Sequence, residues 1–348
     1  MSFFRPEIEQ MAGYVPGEQP QSGKFIKLNT NENPYPPSPA VGRAITSVLE
    51  RGLSRYPDPL ATAFRRRAGE VLSVDPDWIL CGNGSDDLLT ILTRALVGQR
   101  QWLRLPYPSY ILYKTLAHLQ GAGAEEVLFE PDWSLSDKFA APLADLKLAL
   151  LPNPNSPSGT VLSPARILKL TERLPCPLVV DEAYVDFADT NCLELVRASD
   201  KIIVSRSLSK SYSLAGLRFG YLIAQPHLVE QLVKVKDSYN TSALAIAGAT
   251  AAIDDQTWLT DNQAKIRKTR ARLVEGMRRL GFATVESQAN FVWNPHPDVP
   301  LRPLYEKLKA GGILVRYMDY VGWGDGLRIS VGTDEQLDAC LDLLKTMI

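Results

Sequence analysis

The sequence predicts an α/β protein. Its large domain is built on a mostly parallel, mixed sheet flanked by helices, and a smaller α+β domain follows at the C-terminal end. Three observations carry this. Short apolar runs rich in Val, Ile and Leu alternate with helical stretches between about residues 78 and 223, the pattern of a largely parallel sheet. Chemically capable side chains fall just after the carboxyl ends of those runs, where open α/β sheets bind ligands. The chain has 348 residues and is 45% hydrophobic, enough for two cores rather than one.

Composition excludes several function classes. The formal net charge is −1, so neither nucleic acid nor an anionic membrane surface is an expected partner. Polar residues appear by Glu7, Glu9 and Gln10, unlike a secretory leader. No apolar run approaches the roughly 20 residues that span a bilayer. The four cysteines (Cys81, Cys176, Cys192, Cys340) show no metal-ligand spacing, as expected of core residues in a reduced cytoplasm. None of the three histidines stands beside a paired carboxylate or hydroxyl, which argues against a serine triad or a zinc site.

Residues 1–40 are rich in Pro, Gly and Asn, with Tyr14-Val-Pro-Gly-Glu-Gln-Pro20 and Asn29-Thr-Asn-Glu-Asn-Pro-Tyr-Pro-Pro37. They read as an arm laid over the body or a partner. An amphipathic helix is expected from Pro39 to Leu53, stopped by Pro57 and Pro59, and a second from Ala61 to Leu72. The strand Trp78–Cys81 then meets Gly82-Asn-Gly-Ser-Asp-Asp87 and apolar residues at helical spacing (Leu88, Leu89, Ile91, Leu92). A strand, a glycine turn and a helix start together form an anion site, although Ser85 or Asp86 also suits a plain helix cap. Trp102–Leu105 leads to Pro106-Tyr-Pro-Ser-Tyr110, where an aromatic ring can stack on a flat cofactor.

Lys147–Leu151 runs into the shaped loop Pro152-Asn-Pro-Asn-Ser-Pro-Ser-Gly159. Leu178–Val180 places Asp181 after an apolar strand, which suggests a nucleotide hydrolase until a phosphate loop is sought. The nearest match, Gly17 to Gly23-Lys24, has five intervening residues instead of four, no hydroxyl after the lysine and no preceding strand. The stretch Ser205–Gly220, between apolar strands at 202–204 and 219–223, holds Lys210, Arg218, Ser207 and Ser209. A lysine at the end of a buried strand loses hydration, its pKa falls, and its amine can condense with an aldehyde cofactor. Arg218, Ser207 and Ser209 suit that cofactor's phosphate; read alone, the stretch is equally a surface loop. Gln256–Leu280 reads as a long bridging helix. Beyond it lie strands at Asn290–Trp293, Ile313–Arg316 and Leu327–Val331, with helices at Leu301–Ala310 and Asp334–Met347. The resulting division is arm 1–40, large domain 41–255 and small domain 256–348.

In combination YVPGEQP, LNTNENPYPPSP, RYPD, GNGSDDLL, NPNSPSG, VVDEAY, SLSKSYSLAGLRFGY and GLRISVGT resemble the fold-type I pyridoxal-phosphate (PLP) aminotransferases, in particular their histidinol-phosphate branch. The resemblance runs from about Tyr14 to the C-terminus. It implies pyridoxal 5'-phosphate as cofactor, bound in the large domain, and Lys210 as the Schiff-base lysine and proton carrier. It further implies Asp181 as the carboxylate that keeps the pyridine nitrogen protonated, Tyr184 as a donor to the cofactor O3', and Tyr110 as the stacked ring. Gly84, Ser85 and Asp86 match the phosphate turn, joined by Ser207, Ser209 and Arg218. Tyr56 matches a residue that reaches the neighbouring subunit's cofactor, so a homodimer with shared sites is implied. Where relatives carry two asparagines, this chain has Asn155 followed by Ser156; Asn155 is taken for the O3' contact, with Ser156 as the alternative. Tyr14, Asn33, Arg316 and Arg328 match substrate-binding positions, the arginine pair suiting a dianionic phosphate in one half-reaction and the carboxylates of glutamate in the other.

The implied reaction interconverts L-histidinol phosphate and 2-oxoglutarate with imidazole-acetol phosphate and L-glutamate, in cytoplasmic histidine biosynthesis. Alternatives on the same scaffold are an aromatic amino-acid aminotransferase and a threonine-phosphate decarboxylase. A PLP-binding transcriptional regulator is not expected, because the motifs begin by Tyr14. A catalytically dead relative would be expected to lose Lys210 or Asp181, and both are present.

Overall fold

The computed structural model describes residues 2–11, 13, 17–19 and 24–348. A seven-stranded sheet dominates it. Its spatial order is Ile79–Gly82, Gly220–Ile223, Ile202–Ser207, Leu178–Asp181, Leu146–Pro152, Trp102–Tyr107 and Gly123–Leu128. Gly220–Ile223 runs antiparallel to both neighbours, and every other pairing is parallel. The architecture is the predicted α/β class. Leu178–Asp181 and Ile202–Ser207 are buried at every residue because helices cover both faces of the sheet. Alternation along them feeds two separate cores. Leu178, Val180, Ile202 and Val204 enter one apolar cluster, while Val179 and Ile203 enter the other.

The helices begin where local chemistry allows. Ser38 caps Pro39–Arg51 by accepting the Ala40 N–H at 3.1 Å. Asp255 caps the 24-residue helix Gln256–Arg279 by accepting the Trp258 N–H at 3.1 Å. That helix sends Ile266, Leu273 and Met277 into a third core with Leu304, Leu308, Leu337 and Leu344. Over this core lies an antiparallel sheet of Phe291–Asn294, Gly324–Ser330 and Arg316–Tyr320.

Some elements differ from the sequence reading. The single strand expected at Ile313–Arg316 is two. Ile313–Leu314 pairs in parallel with Ile26–Lys27, whereas Arg316–Tyr320 turns to pair with Gly324–Ser330. Leu28 is therefore buried in the third core, and Ile26 packs against it. The strand Gly123–Leu128 was not anticipated: its Gly-Ala-Glu-Glu-Val-Leu sequence lacks an apolar run because it forms an edge with one partner. The helices Pro164–Arg173, Pro226–Val233 and Ala243–Asp254 are further elements beyond the sequence reading.

Candidate active site

The carboxyl ends of the parallel strands converge on a cavity of about 340 Å³, within the size range of cofactor and ligand sites. Five segments meet there: the turn after Gly82, Ser109–Ile111, the loop after Pro152, Asp181–Tyr184 and the stretch after Ser207. The second sheet closes it with Arg316, Met318 and Arg328, and residues 29–32 form another side.

Asp181 ends its strand and is buried. Its Oδ2 accepts the Tyr113 hydroxyl at 2.7 Å and its Oδ1 the Ala183 N–H at 3.1 Å. Burial pushes its pKa up to about 6; those two hydrogen bonds pull it down, while Asp86 and Glu182 add to the rise. Lys210 follows the strand Ile202–Ser207 by three residues, and its Nζ donates to the Thr30 carbonyl at 3.1 Å. Burial is the main cause that lowers its pKa to about 8; Arg328 and Arg218 assist, while Glu32 and Asp86 oppose. An amine with that value is partly neutral near pH 7, as a nucleophile or proton carrier requires. The Tyr184 hydroxyl accepts the Asn31 amide at 3.0 Å, and burial raises its pKa, so it remains a proton donor.

One end of the cavity is an anion cup. The 12-residue helix Ser85–Leu96 points its N-terminus at it, after Gly84 at φ 84°. Arg218 reaches over the turn, with Nη1 3.4 Å from Ser209 Oγ and Nη2 3.4 Å from Asp86 Oδ2. Ser209 N–H donates to Ser207 Oγ at 3.1 Å. A Cβ at Gly84 would lie 2.6 Å from Arg218 Nη2, and one at Gly220 2.7 Å from Ser85 N. Glycine at these two positions lets the cup close tightly. Tyr110 donates its hydroxyl to Asp86 Oδ1 at 3.3 Å.

The other end is cationic. Arg316 and Arg328 stand directly opposite on antiparallel strands, a like-charge cross-strand pair that is unfavourable by itself and suits an anion held between two guanidinium forks. Arg328 Nη1 donates to Ser156 Oγ at 2.9 Å and Nη2 to the Asn29 carbonyl at 3.2 Å. Its Nε is buried and makes no hydrogen bond among the described residues.

The structure thus brings Ser85, Asp86, Tyr110, Asp181, Tyr184, Ser207, Ser209, Lys210, Arg218, Arg316 and Arg328 to one cavity, with Gly84 forming the turn behind Ser85. Three other sequence candidates are placed differently. Asn155 is not in the cavity wall, because its amide donates to the Pro108 carbonyl at 3.2 Å and to Ser158 Oγ at 2.9 Å. Ser156 faces the cavity instead. Asn33 is likewise committed, donating to the carbonyls of Lys210 at 3.1 Å and Ser211 at 3.2 Å, so it fixes the backbone under the lysine. Tyr56 is 81% exposed and stacks on Tyr239 at 4.5 Å, apart from this chain's cavity. Tyr14 lies outside the described residues. Sequence reasoning missed Tyr113, Thr30, Glu32 and Met318. Tyr113 had a signal, its three-residue spacing from Tyr110 at a helix start.

The residues fit PLP. The cup offers hydroxyls, an arginine and a helix N-terminus for a phosphate; Asp181 is a buried carboxylate for a ring nitrogen; and Lys210 is an amine of lowered pKa. No cluster of metal-ligating side chains is found among the described residues.

Comparison with known proteins agrees with this geometry. Residues 23–344 match the family described as aminotransferase class I and II, and the chain belongs to that family. It is 56% identical over 343 residues to the histidinol-phosphate aminotransferase of Rhodopirellula baltica, covering 98% of this chain and 95% of that protein. It is 43% identical to histidinol-phosphate aminotransferase 1 of Trichormus variabilis, covering 100% and 99%. Among solved structures, histidinol-phosphate aminotransferase from Sinorhizobium meliloti in complex with pyridoxal-5'-phosphate superposes with a TM-score of 0.91. It is 24% identical, over 100% of this chain and 99% of that one, and shares the fold.

Proposed function

We propose that this aminotransferase uses pyridoxal 5'-phosphate to interconvert L-histidinol phosphate and 2-oxoglutarate with imidazole-acetol phosphate and L-glutamate, as a step of histidine biosynthesis in the cytoplasm. The observation that carries the reading is a single cavity with a phosphate cup at one end, Asp181 and Lys210 within it, and the facing pair Arg316 and Arg328 at the other. When bound, PLP supplies an electron sink for charge developing at the substrate Cα.

The chain's own residues supply the rest. Ser85, Ser207, Ser209 and Arg218 bind the cofactor phosphate, with Gly84 and Asp86 shaping the turn. Asp181 holds a proton on the ring nitrogen, and Tyr184 donates to the ring oxygen. Tyr110 covers the ring face. Lys210 would take the proton from the substrate Cα and deliver it to the cofactor C4′, two bonds away. Arg316 and Arg328 hold the phosphate of one substrate and a carboxylate of the other, with Ser156 orienting Arg328. We further assign Tyr56 to the neighbouring subunit's site in a homodimer and Tyr14 to the substrate phosphate. The division into arm 1–40, large domain 41–255 and small domain 256–348 completes this proposal.

The test is a visible absorption spectrum of the PLP-loaded protein, before and after L-histidinol phosphate is added without a keto acid. Rapid loss of the visible band, much faster than with phenylalanine or threonine phosphate, is the expected result. A band unchanged by histidinol phosphate but lost with phenylalanine would overturn the substrate.

A further inference from the structure

Tyr113 has no place in the roles above, yet it touches two of their owners. Its side chain is wholly buried, at 0% exposure. Its hydroxyl donates to Asp181 Oδ2 at 2.7 Å, and its ring meets the Tyr110 ring edge-on, with centroids 5.5 Å apart and planes at 85°. Tyr110 in turn donates to Asp86 Oδ1, whose other oxygen faces Arg218. Two tyrosines three residues apart therefore join the carboxylate in the cavity floor to the anion cup. We propose that Tyr113 is a positioning residue for the cofactor: it fixes the Asp181 carboxylate for the ring nitrogen and braces the Tyr110 ring that covers the cofactor.

The physical case rests on what Asp181 faces. From its own strand end it meets Glu182, from the helix Ser85–Leu96 it meets Asp86, and Tyr184 lies beyond; the carboxylates disfavour its charge. Among the described residues it is stabilised by the Ala183 N–H on Oδ1 and the Tyr113 hydroxyl on Oδ2. A carboxylate oxygen accepts two hydrogen bonds, so Oδ2 takes the phenol and keeps a lone pair for a ring N–H. Burial and the neighbouring Asp181 charge hold Tyr113 protonated, with its pKa well above 10.0, so it remains a donor across the working pH range. The edge-on contact is the favoured geometry for an aromatic pair, and it restrains Tyr110 without using its face.

This inference rests on the PLP reading, and the experiment separates the two. Tyr113→Phe keeps the ring and removes the hydroxyl; Tyr113→Leu removes both. The dissociation constant for PLP is measured by equilibrium dialysis from pH 5 to 8 for the parent and both variants, with thermal melts of the PLP-free proteins. For Tyr113→Phe we expect roughly tenfold weaker binding at pH 7, about 1.4 kcal/mol, the size of a lost hydrogen bond to a charged group. The acid limb of the binding profile shifts to higher pH, because Asp181 without its donor titrates higher. Tyr113→Leu should bind PLP more weakly still, having lost the brace. A Phe variant whose affinity and pH profile match the parent within twofold overturns the proposal, whatever its melt does. A parent that binds no PLP overturns the cofactor reading itself.

Discussion

Replacing Lys210 by methionine should stabilise the PLP-free protein at neutral pH while abolishing turnover. Burial and the nearby arginines lower the folded-state pKa of Lys210 from 10.5 to about 8. At 1.36 kcal/mol per pKa unit, that depression corresponds to about 3 kcal/mol charged against folding whenever the amine is protonated in both states. The side chain is only partly buried, so solvent screening reduces the figure. The variant also leaves the Thr30 carbonyl without its 3.1 Å donor, at about 1 kcal/mol. A net gain of about 1–2 kcal/mol remains by this reckoning. The sign with pH follows from the depressed value. Below pH 8 the lysine is charged folded and unfolded, and the penalty is complete. Between pH 8 and 10.5 the folded amine loses its proton first, and the penalty fades. Urea unfolding of PLP-free parent and Lys210→Met at pH 7 and pH 10.5 tests this through the midpoints. The variant should unfold at higher urea at pH 7 and lose that advantage at pH 10.5. A methionine variant no more stable than the parent at pH 7 refutes the reasoning that the cavity strains this amine for function.

Two further outcomes are expected. Arg316→Ala should raise KM for phosphorylated substrates more than for aromatic amino acids, by about 1.5–3 kcal/mol in transition-state terms, as for a lost charge-assisted hydrogen bond; steady-state kinetics with both substrate classes checks it, and equal effects would mean that Arg316 does not read the phosphate. Gly84→Ala should cost about 1–3 kcal/mol of stability, since φ 84° with ψ 169° is glycine territory, and should weaken PLP binding because the new Cβ displaces Arg218 Nη2; dialysis against PLP would show parent-like affinity if Arg218 did not hold the phosphate.

The sheet was legible because buried parallel strands leave continuous apolar runs, as in Leu178–Val180 and Ile202–Val204. The edge strand Gly123–Leu128, with a single buried residue, leaves no such mark. The split at Val315 was hidden for another reason. Its cause is a long-range choice of partners: Ile26–Lys27 pairs with one piece and Gly324–Ser330 with the other, which no local pattern encodes. The same division runs through the site. Residues next to a strand end, such as Asp181, Lys210 and Ser207, could be read from position alone. Asn33 and Asn155 could not, because side-chain direction is decided by which carbonyls compete for the amide, and those carbonyls come from Lys210, Ser211 and Pro108.

The charges in the cavity have an order that follows from this construction. Arginine is cheap to keep ionised and expensive to pair imperfectly, so Arg316 and Arg328 opposite one another make sense where an anion arrives with each substrate. Asp181 and Lys210 are displaced in opposite directions, one up to about 6 and the other down to about 8. Both shifts favour the neutral form, and burial is the first cause of each. A cavity that penalises isolated charge in this way favours the neutral amine directly, with Arg328 assisting, and leaves the ionised carboxylate dependent on Tyr113 and Ala183. The lowered pKa of Lys210 is therefore a property of the whole cavity, set first by burial and then by the field of Arg328, while Thr30 and Asn33 fix its amine and its backbone.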